Sequence, residues 1–226
     1  MIVKADQVSD PVAERPLLIS MGDPAGIGPE IVVRVLSERC DLRSKAVVAG
    51  DEAVLRRAME VVRRAGFEAP PLAVLKDLSS WSARPAEGLR LLQSCAVVDP
   101  PPWGRVSAIA GQAAADCIAA AAQCVLDGRA CALVTAPVHK EALSLAGLPH
   151  PGHTEFLQSL AAAHAGVPVH RMPVRMMLSA PGLATVLVSI HVSLRQALDT
   201  LSVDLVHETI RIAADHFRWI GLSDAR

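Results

Sequence analysis

The sequence lacks a charge imbalance: its formal net charge is -1, and no Lys/Arg cluster offers a footprint for a polyanion. No nucleic-acid partner is therefore expected. Long apolar runs are missing too. The longest, around Met176 to Ile190, is broken by Pro181-Gly182 and is too short to cross a bilayer as a helix. The opening MIVKADQVSDPVAERP has no apolar core of the secretory kind. Cysteine is scarce and odd in number, five in all. Cys117, Cys124 and Cys131 recur at a seven-residue interval that fits no common zinc spacing. These thiols read as small buried apolar residues in a reducing compartment. The expectation is a cytoplasmic protein without a membrane partner.

What the chain has in quantity is apolar side chain, 51% against 20% charged. That balance excludes disorder, and 226 residues can bury one large or two small cores. Residues 16–21 predict a buried strand running into the loop Gly22-Asp23-Pro24-Ala25-Gly26-Ile27-Gly28. Pro29 suits the first turn of a following helix, and Glu30 the positive end of its dipole. Ile31, Val32, Val35 and Leu36 predict the apolar face of that helix. Residues 46–50 predict a second strand, and residues 52–64 a helix ended by Gly66.

The proline-richer stretch 69–104 predicts one or two strands, including Ala96-Val97-Val98, and much loop. An alanine-rich helix is expected over 112–126, stopped by Asp127-Gly128, and a strand over 130–135. Strand, loop and helix alternate in this way in α/β proteins with a mainly parallel sheet. The second half differs. Residues 174–179 and 183–191 predict an antiparallel hairpin. Ser193 and Ser202 are expected helix caps, the second opening a helix with Val203, Val206, Ile210, Ala213 and Phe217 on its apolar stripe.

Three segments can carry chemistry. The loop Gly22–Gly28 brings backbone N–H groups near a helix start, which suits either an anion or a tight structural turn. It has neither the Gly-Lys-Ser/Thr of a Walker loop nor the glycine spacing of the dinucleotide fingerprint. In the second segment, Thr135-Ala136-Pro137-Val138-His139-Lys140 is followed by Pro151-Gly152-His153-Thr154-Glu155. A loop at the carboxyl end of a parallel strand is where open α/β sheets bind ligands. Lys140 there either neutralises a phosphate or carboxylate, or is a solvated surface charge. His153 and Thr154 stand at a helix start, as ligand donors or as capping residues. The third segment is Ser189-Ile190-His191-Val192-Ser193-Leu194-Arg195. There His191 is expected at a strand end, either structural or a metal ligand that needs partners from elsewhere. His150, His164, His170, His207 and His216 are weaker candidates.

Taken together, Gly22 to Pro29, Thr135 to Lys140, Gly152 to Glu155 and Ser189 to Arg195 resemble, in order and spacing, the hallmarks of the 4-hydroxythreonine-4-phosphate dehydrogenase (PdxA) family. Ser189 and Ser193 stand where that family more usually has Thr and Pro. The resemblance implies an α/β fold similar to isocitrate and isopropylmalate dehydrogenases, with two α/β domains flanking a cleft. Here they would divide as 1–145 and 146–226, with the C-terminal part of the family's fold missing. It implies a homodimer that oxidises and decarboxylates the small phosphorylated substrate 4-phosphohydroxy-L-threonine in pyridoxal phosphate biosynthesis. NAD and a divalent metal (zinc, magnesium or cobalt) would be the cofactors. By the same resemblance His153 and Thr154 are substrate-binding residues, with His153 also placed to relay a proton. Lys140 lies near the substrate, and His191 is the first of three metal-binding histidines. The other two belong to family motifs, Asn-Pro-His-Ala-Gly and His-Asp-Gln-Gly, that this sequence does not contain. The alternatives are a paralogue acting on another alcohol (a phosphorylated sugar acid or an aromatic cis-dihydrodiol) and an inactive fragment.

Overall fold

Two compact units, divided after His164, make up the chain. The computed structural model describes residues 15–82, 87–97, 99–148, 150 and 152–222. The N-terminal stretch read above for a secretory signal lies outside the described residues through position 14, as do Val98, Pro151 and residues 223–226.

In the first unit the order is β1 (Leu17–Ser20), α1 (Gly28–Glu38), α2 (Cys40–Lys45), β2 (Ala46–Gly50), α3 (Glu52–Arg64), β3 (Leu72–Leu75), β4 (Leu89–Gln93), α4 (Ala108–Leu126), β5 (Ala132–Thr135), α5 (Lys140–Leu145) and α6 (His153–His164). The five strands form one parallel sheet in the order β3-β4-β2-β1-β5. Every residue of β2 is buried, as a strand covered on both faces requires. Leu18, Val47, Val48 and Leu91 have no exposed surface, and each contributes about 1.5–3 kcal/mol of apolar burial. The strand expected at 96–98 is instead β4, a few residues earlier, because Leu89 and Leu91 are the side chains that reach the core; Ala96 and Val97 have no regular structure.

Two helices differ in detail from expectation. The buried face of α1 is Gly28, Pro29, Val32, Val33 and Leu36, whereas Ile31 and Val35 are exposed. The start of the helix sets that rotation. A Cβ on Gly28 would sit 2.5 Å from the Met21 carbonyl oxygen, so the first turn is pressed against the end of β1 and the chain enters the helix at one angle. Helix α4 begins four residues earlier than expected, since Ser107 caps it by accepting from the Ala110 N–H at 3.2 Å. Its small side chains allow close approach. A Cβ on Gly111 would fall 1.9 Å from the Ala142 oxygen of α5, a separation that no other residue permits. By length and apolar composition α4 would suffice to cross a membrane, and more than half of that stretch is buried within the protein.

The second unit holds the antiparallel pair β6 (Met177–Ala180) and β7 (Leu183–Val186), then α7 (Leu194–Thr200) and α8 (Val203–Trp219). Ser193 and Ser202 cap the two helices as expected, Ser193 with a full capping box to Gln196. Of the stripe expected on α8, Val206, Ala213 and Phe217 are half-buried. Val203 and Ile210 are exposed, and the side that packs is centred on the buried Thr209.

Candidate functional site

The strand order places β1 between β2 on one side and β5 on the other. The chain leaves β1 toward β2 and later returns to its opposite edge with β5, so the crevice beyond the carboxyl ends of β1 and β5 is a topological switch point. Two of the three candidate segments meet there.

The loop after β1 is compact. Gly22 has φ +78°, which only glycine adopts without strain, and a Cβ on it would lie 2.4 Å from the Pro137 oxygen. The Asp23 N–H donates to that oxygen at 2.9 Å. The Asp23 carboxylate is buried and accepts from the Ala25 N–H at 2.7 Å, an Asx turn that shapes the loop. The glycine loop is thus seated on the Ala136–Pro137 peptide just beyond β5. The structural role left open for these glycines is the one the geometry displays.

Lys140 opens α5 and is exposed. His153 and Thr154 open α6 and are half-buried. The position of a Cβ on Gly152 is 3.9 Å from Lys140 Cε and 3.5 Å from Glu155 Oε2, so these groups share one neighbourhood. Burial pushes the His153 imidazole below its ordinary pKa; a hydrogen bond to the Ala136 carbonyl opposes this, and the Lys140 ammonium adds to it. His153 Nε2 is buried and has no partner. A half-buried imidazole held neutral, with a free ring nitrogen and a lysine alongside, can accept a hydrogen bond from a hydroxyl while the ammonium faces an anion.

His191 belongs to the second unit. It is not at a strand end, since β7 stops at Val186. It lies exposed in the connection to α7 with φ +58°, the one non-glycine residue with positive φ among those described. The reason is that the hairpin is short, its last backbone bond running from the Leu187 N–H to the Met176 oxygen. Among the described residues no three His, Cys, Asp or Glu side chains come together in a way that could hold a metal. His191 alone does not fit a metal centre. Of the weaker candidates, His150 stacks on Phe156, and His164 is exposed at the end of α6.

The sequence reading missed the role of the segment around 101–104. The Gly104 N–H donates to the Ala25 oxygen at 2.7 Å. Trp103 Nε1 donates to Glu30 Oε1 at 3.1 Å. Arg57 lies over the Trp103 ring at 4.6 Å and donates to the oxygens of Pro24 and Pro101. Together these groups brace the outer side of the glycine loop, beside an open apolar cavity of about 620 Å³. No periodicity announced them, because an irregular, proline-rich stretch carries none.

Comparison with known proteins agrees with the motifs. The profile of the family described as pyridoxal phosphate biosynthetic protein PdxA matches residues 42–226. A 4-hydroxythreonine-4-phosphate dehydrogenase of Beijerinckia indica is 38% identical over 213 residues, covering 94% of this chain and 59% of that protein. A D-threonate 4-phosphate dehydrogenase of Salmonella typhimurium is 37% identical over 205 residues, covering 90% and 59%. The crystal structure of a 4-hydroxythreonine-4-phosphate dehydrogenase from Klebsiella pneumoniae superposes with a TM-score of 0.78 at 32% identity, covering 92% of this chain and 60% of that one. The chain therefore spans about three-fifths of the length of the relatives it matches. The expected α/β class, akin to isocitrate and isopropylmalate dehydrogenases, is borne out.

Proposed function

The chain belongs to the PdxA family, and on that premise we propose that the complete protein is an NAD-dependent dehydrogenase of a small phosphorylated hydroxy acid. The favoured substrate is 4-phosphohydroxy-L-threonine, in pyridoxal phosphate biosynthesis. The observation that carries this reading is the meeting of His153, Thr154 and Lys140 at the switch point of the sheet. The family sequence match supports it independently.

In this reading His153 Nε2 accepts a hydrogen bond from the substrate's secondary hydroxyl and orients it, and Thr154 supplies a second hydroxyl contact. Lys140 faces the anionic end of the substrate. A neutral imidazole suits a proton acceptor near neutral pH. NAD would take the hydride and leave alignment and charge to the protein. The metal dependence and the role of His191 as a ligand rest on family resemblance. The described residues do not assemble a metal-binding set, and no step is drawn through a metal. Two α/β domains dividing near residue 145, a homodimer and a cytoplasmic location complete the proposal; the free cysteines fit a reducing compartment.

A second reading is favoured by the near-equal identity to D-threonate 4-phosphate dehydrogenase. The two substrates differ at one carbon, which bears an amine in one and a hydroxyl in the other. NADH formation is the test, measured with each substrate, with and without EDTA, on the 226-residue chain and on a version extended to the relatives' length. Turnover of the amine-bearing substrate in the extended form, lost in His153→Ala, is expected. Turnover of D-threonate 4-phosphate alone would select the second reading. Folded, extended protein that forms no NADH from either would overturn both, and full metal-dependent activity in His191→Ala would remove the metal role of that residue.

A further inference from the structure

We infer that Cys95 and Cys117 are a site of reversible oxidation, a thiol pair that a hydroperoxide converts to a disulfide, fixing the segment that braces the glycine loop. The pair takes no part in the proposed dehydrogenase chemistry.

The two sulfurs lie 3.5 Å apart, although the residues are 22 positions apart in sequence. Cys117 is in α4 and has no exposed surface. Cys95 follows β4, is half-buried, and has its backbone in no helix or strand. Solvent therefore reaches one residue of the pair and not the other. Neighbouring hydrogen bonds hold the contact in place. The Cys95 carbonyl accepts from Gln93 Nε2 at 2.6 Å, and the same amide donates to Asp51 Oδ2 at 2.7 Å. The Val97 N–H also donates to Asp51 Oδ2, at 3.2 Å. The backbone on both sides of Cys95 is thus anchored to the residue that caps α3, which keeps its thiol against α4. Each sulfur swings about a single Cα–Cβ bond, so closing to the roughly 2 Å of a disulfide takes rotation and a small shift of Cys95.

The asymmetry of the pair sets the order of events. Thiolate is the attacking form. Contact with Cys95, and then burial, holds the Cys117 thiol well above its ordinary pKa, so Cys95 reacts first. Its sulfur attacks an oxygen of the hydroperoxide: an S–O bond forms and the O–O bond breaks. The other oxygen leaves with the proton that Cys95 gave up, as an alcohol, or as water from hydrogen peroxide. Cys95 is then a sulfenic acid. The Cys117 sulfur attacks Cys95 Sγ, the S–O bond breaks, and hydroxide leaves with the Cys117 proton as water. Two thiols have lost two electrons and the peroxide has gained them. A small dithiol reverses the step by exchange, so a crosslink of this kind is transient in a reducing compartment.

Positions 95 and 117 bracket the elements described above at the outer side of the glycine loop. Between them lie Trp103, which donates to Glu30, Gly104, which donates to Ala25, and Ser107, which caps α4. Joining the two ends of this segment limits how far it can lift from the loop it braces.

Peptide mapping tests the pair. The reduced 226-residue chain is treated with hydrogen peroxide sufficient to oxidise the exposed Cys40, then denatured, blocked with iodoacetamide and digested with trypsin without reductant. The expected product is a link between peptides 91–105 and 106–129, assigned by fragmentation to Cys95 and Cys117 rather than Cys124, and lost after dithiothreitol. Cys117→Ala should replace the link with a sulfenic acid at Cys95 that dimedone traps, and Cys95→Ser should yield neither. If Cys117→Ala does not fold, Cys117→Ser is judged by the same criterion. In the crosslinked chain, hydrogen exchange at the Gly104 amide should be several-fold slower than in the reduced chain. Cys95 and Cys117 both still free once Cys40 is oxidised would overturn the inference, and so would a link from Cys95 to any other cysteine. A crosslink that leaves Gly104 exchange unchanged would overturn its hold on the brace. The measurement uses no substrate, so its outcome is separate from whether dehydrogenase activity is found.

Discussion

The Arg175 guanidinium and the Glu208 carboxylate meet at 2.6 Å, and the same guanidinium donates to Thr209 Oγ1 at 2.8 Å. One side chain thus ties the segment leading into β6 to the middle of α8. The Arg175 side chain is 11% exposed and that of Glu208 is 40% exposed. Arg175→Met should lower stability by about 2 kcal/mol, less than for a fully buried pair because Glu208 stays partly hydrated. Urea unfolding measures the loss, and hydrogen exchange at the β6–β7 amides should rise with it.

Asp51 plays the corresponding part in the first unit. Its carboxylate caps α3 by accepting from the Ala53 and Val54 N–H groups, and also accepts from Gln93 Nε2 and the Val97 N–H. Asp51→Ala removes the cap and strands buried donors, so a loss of about 3 kcal/mol is expected. Asp51→Asn should cost clearly less. Comparable melting temperatures for the two variants would contradict this account.

The Cys95 and Cys117 sulfurs lie 3.5 Å apart. Contact with Cys95, and then burial, pushes the Cys117 thiol well above its ordinary pKa, whereas Cys40 is exposed. Thiolate is the reactive form. Alkylation at mildly alkaline pH, followed by mass spectrometry, should therefore modify Cys40 first and Cys117 last. Early labelling of Cys117 in folded protein would refute the packing.

Stability should depend on pH through His153. Burial, reinforced by Lys140 and opposed by the Ala136 hydrogen bond, depresses its folded-state pKa. Between the depressed folded pKa and the unfolded value near 6.5, the unfolded chain binds more protons, so stability rises with pH across that window. The contribution is complete above the unfolded pKa and is lost as pH falls toward and below the folded one. His153→Gln should flatten this part of the pH–stability curve. An unchanged slope would show that the ring titrates as if in water.

Leu178, Leu183, Leu194, Leu198, Val203 and Ile210 of the second unit are all exposed. Apolar surface on this scale marks an interaction face or promotes self-association. Sedimentation of the 226-residue chain is expected to show concentration-dependent association, weakened by Leu194→Lys combined with Val203→Lys. A monomer at all concentrations would contradict it.

Local chemistry left a clear trace where it acts alone. The short apolar runs that give β1, β2 and β5, the glycine that ends α3, and the serines that cap α7 and α8 are short-range devices, readable from neighbouring residues. His153 and Thr154 were legible as the start of a helix, and the four motifs in order carried the family. Relations set by the folded geometry left no such trace. The rotation of α1 depends on Gly28 meeting the carbonyl of Met21, and the packed face of α8 depends on Thr209 meeting Arg175. Trp103 braces the glycine loop from a stretch without periodicity. His191 sits in left-handed backbone in the connection to α7, beyond a hairpin that stops at Val186. Each depends on a geometry that exists only once the chain has folded. For that reason the sequence by itself determined the elements, the helix caps and the family, whereas only the tertiary structure decided which faces are buried and which segments meet beyond the ends of β1 and β5.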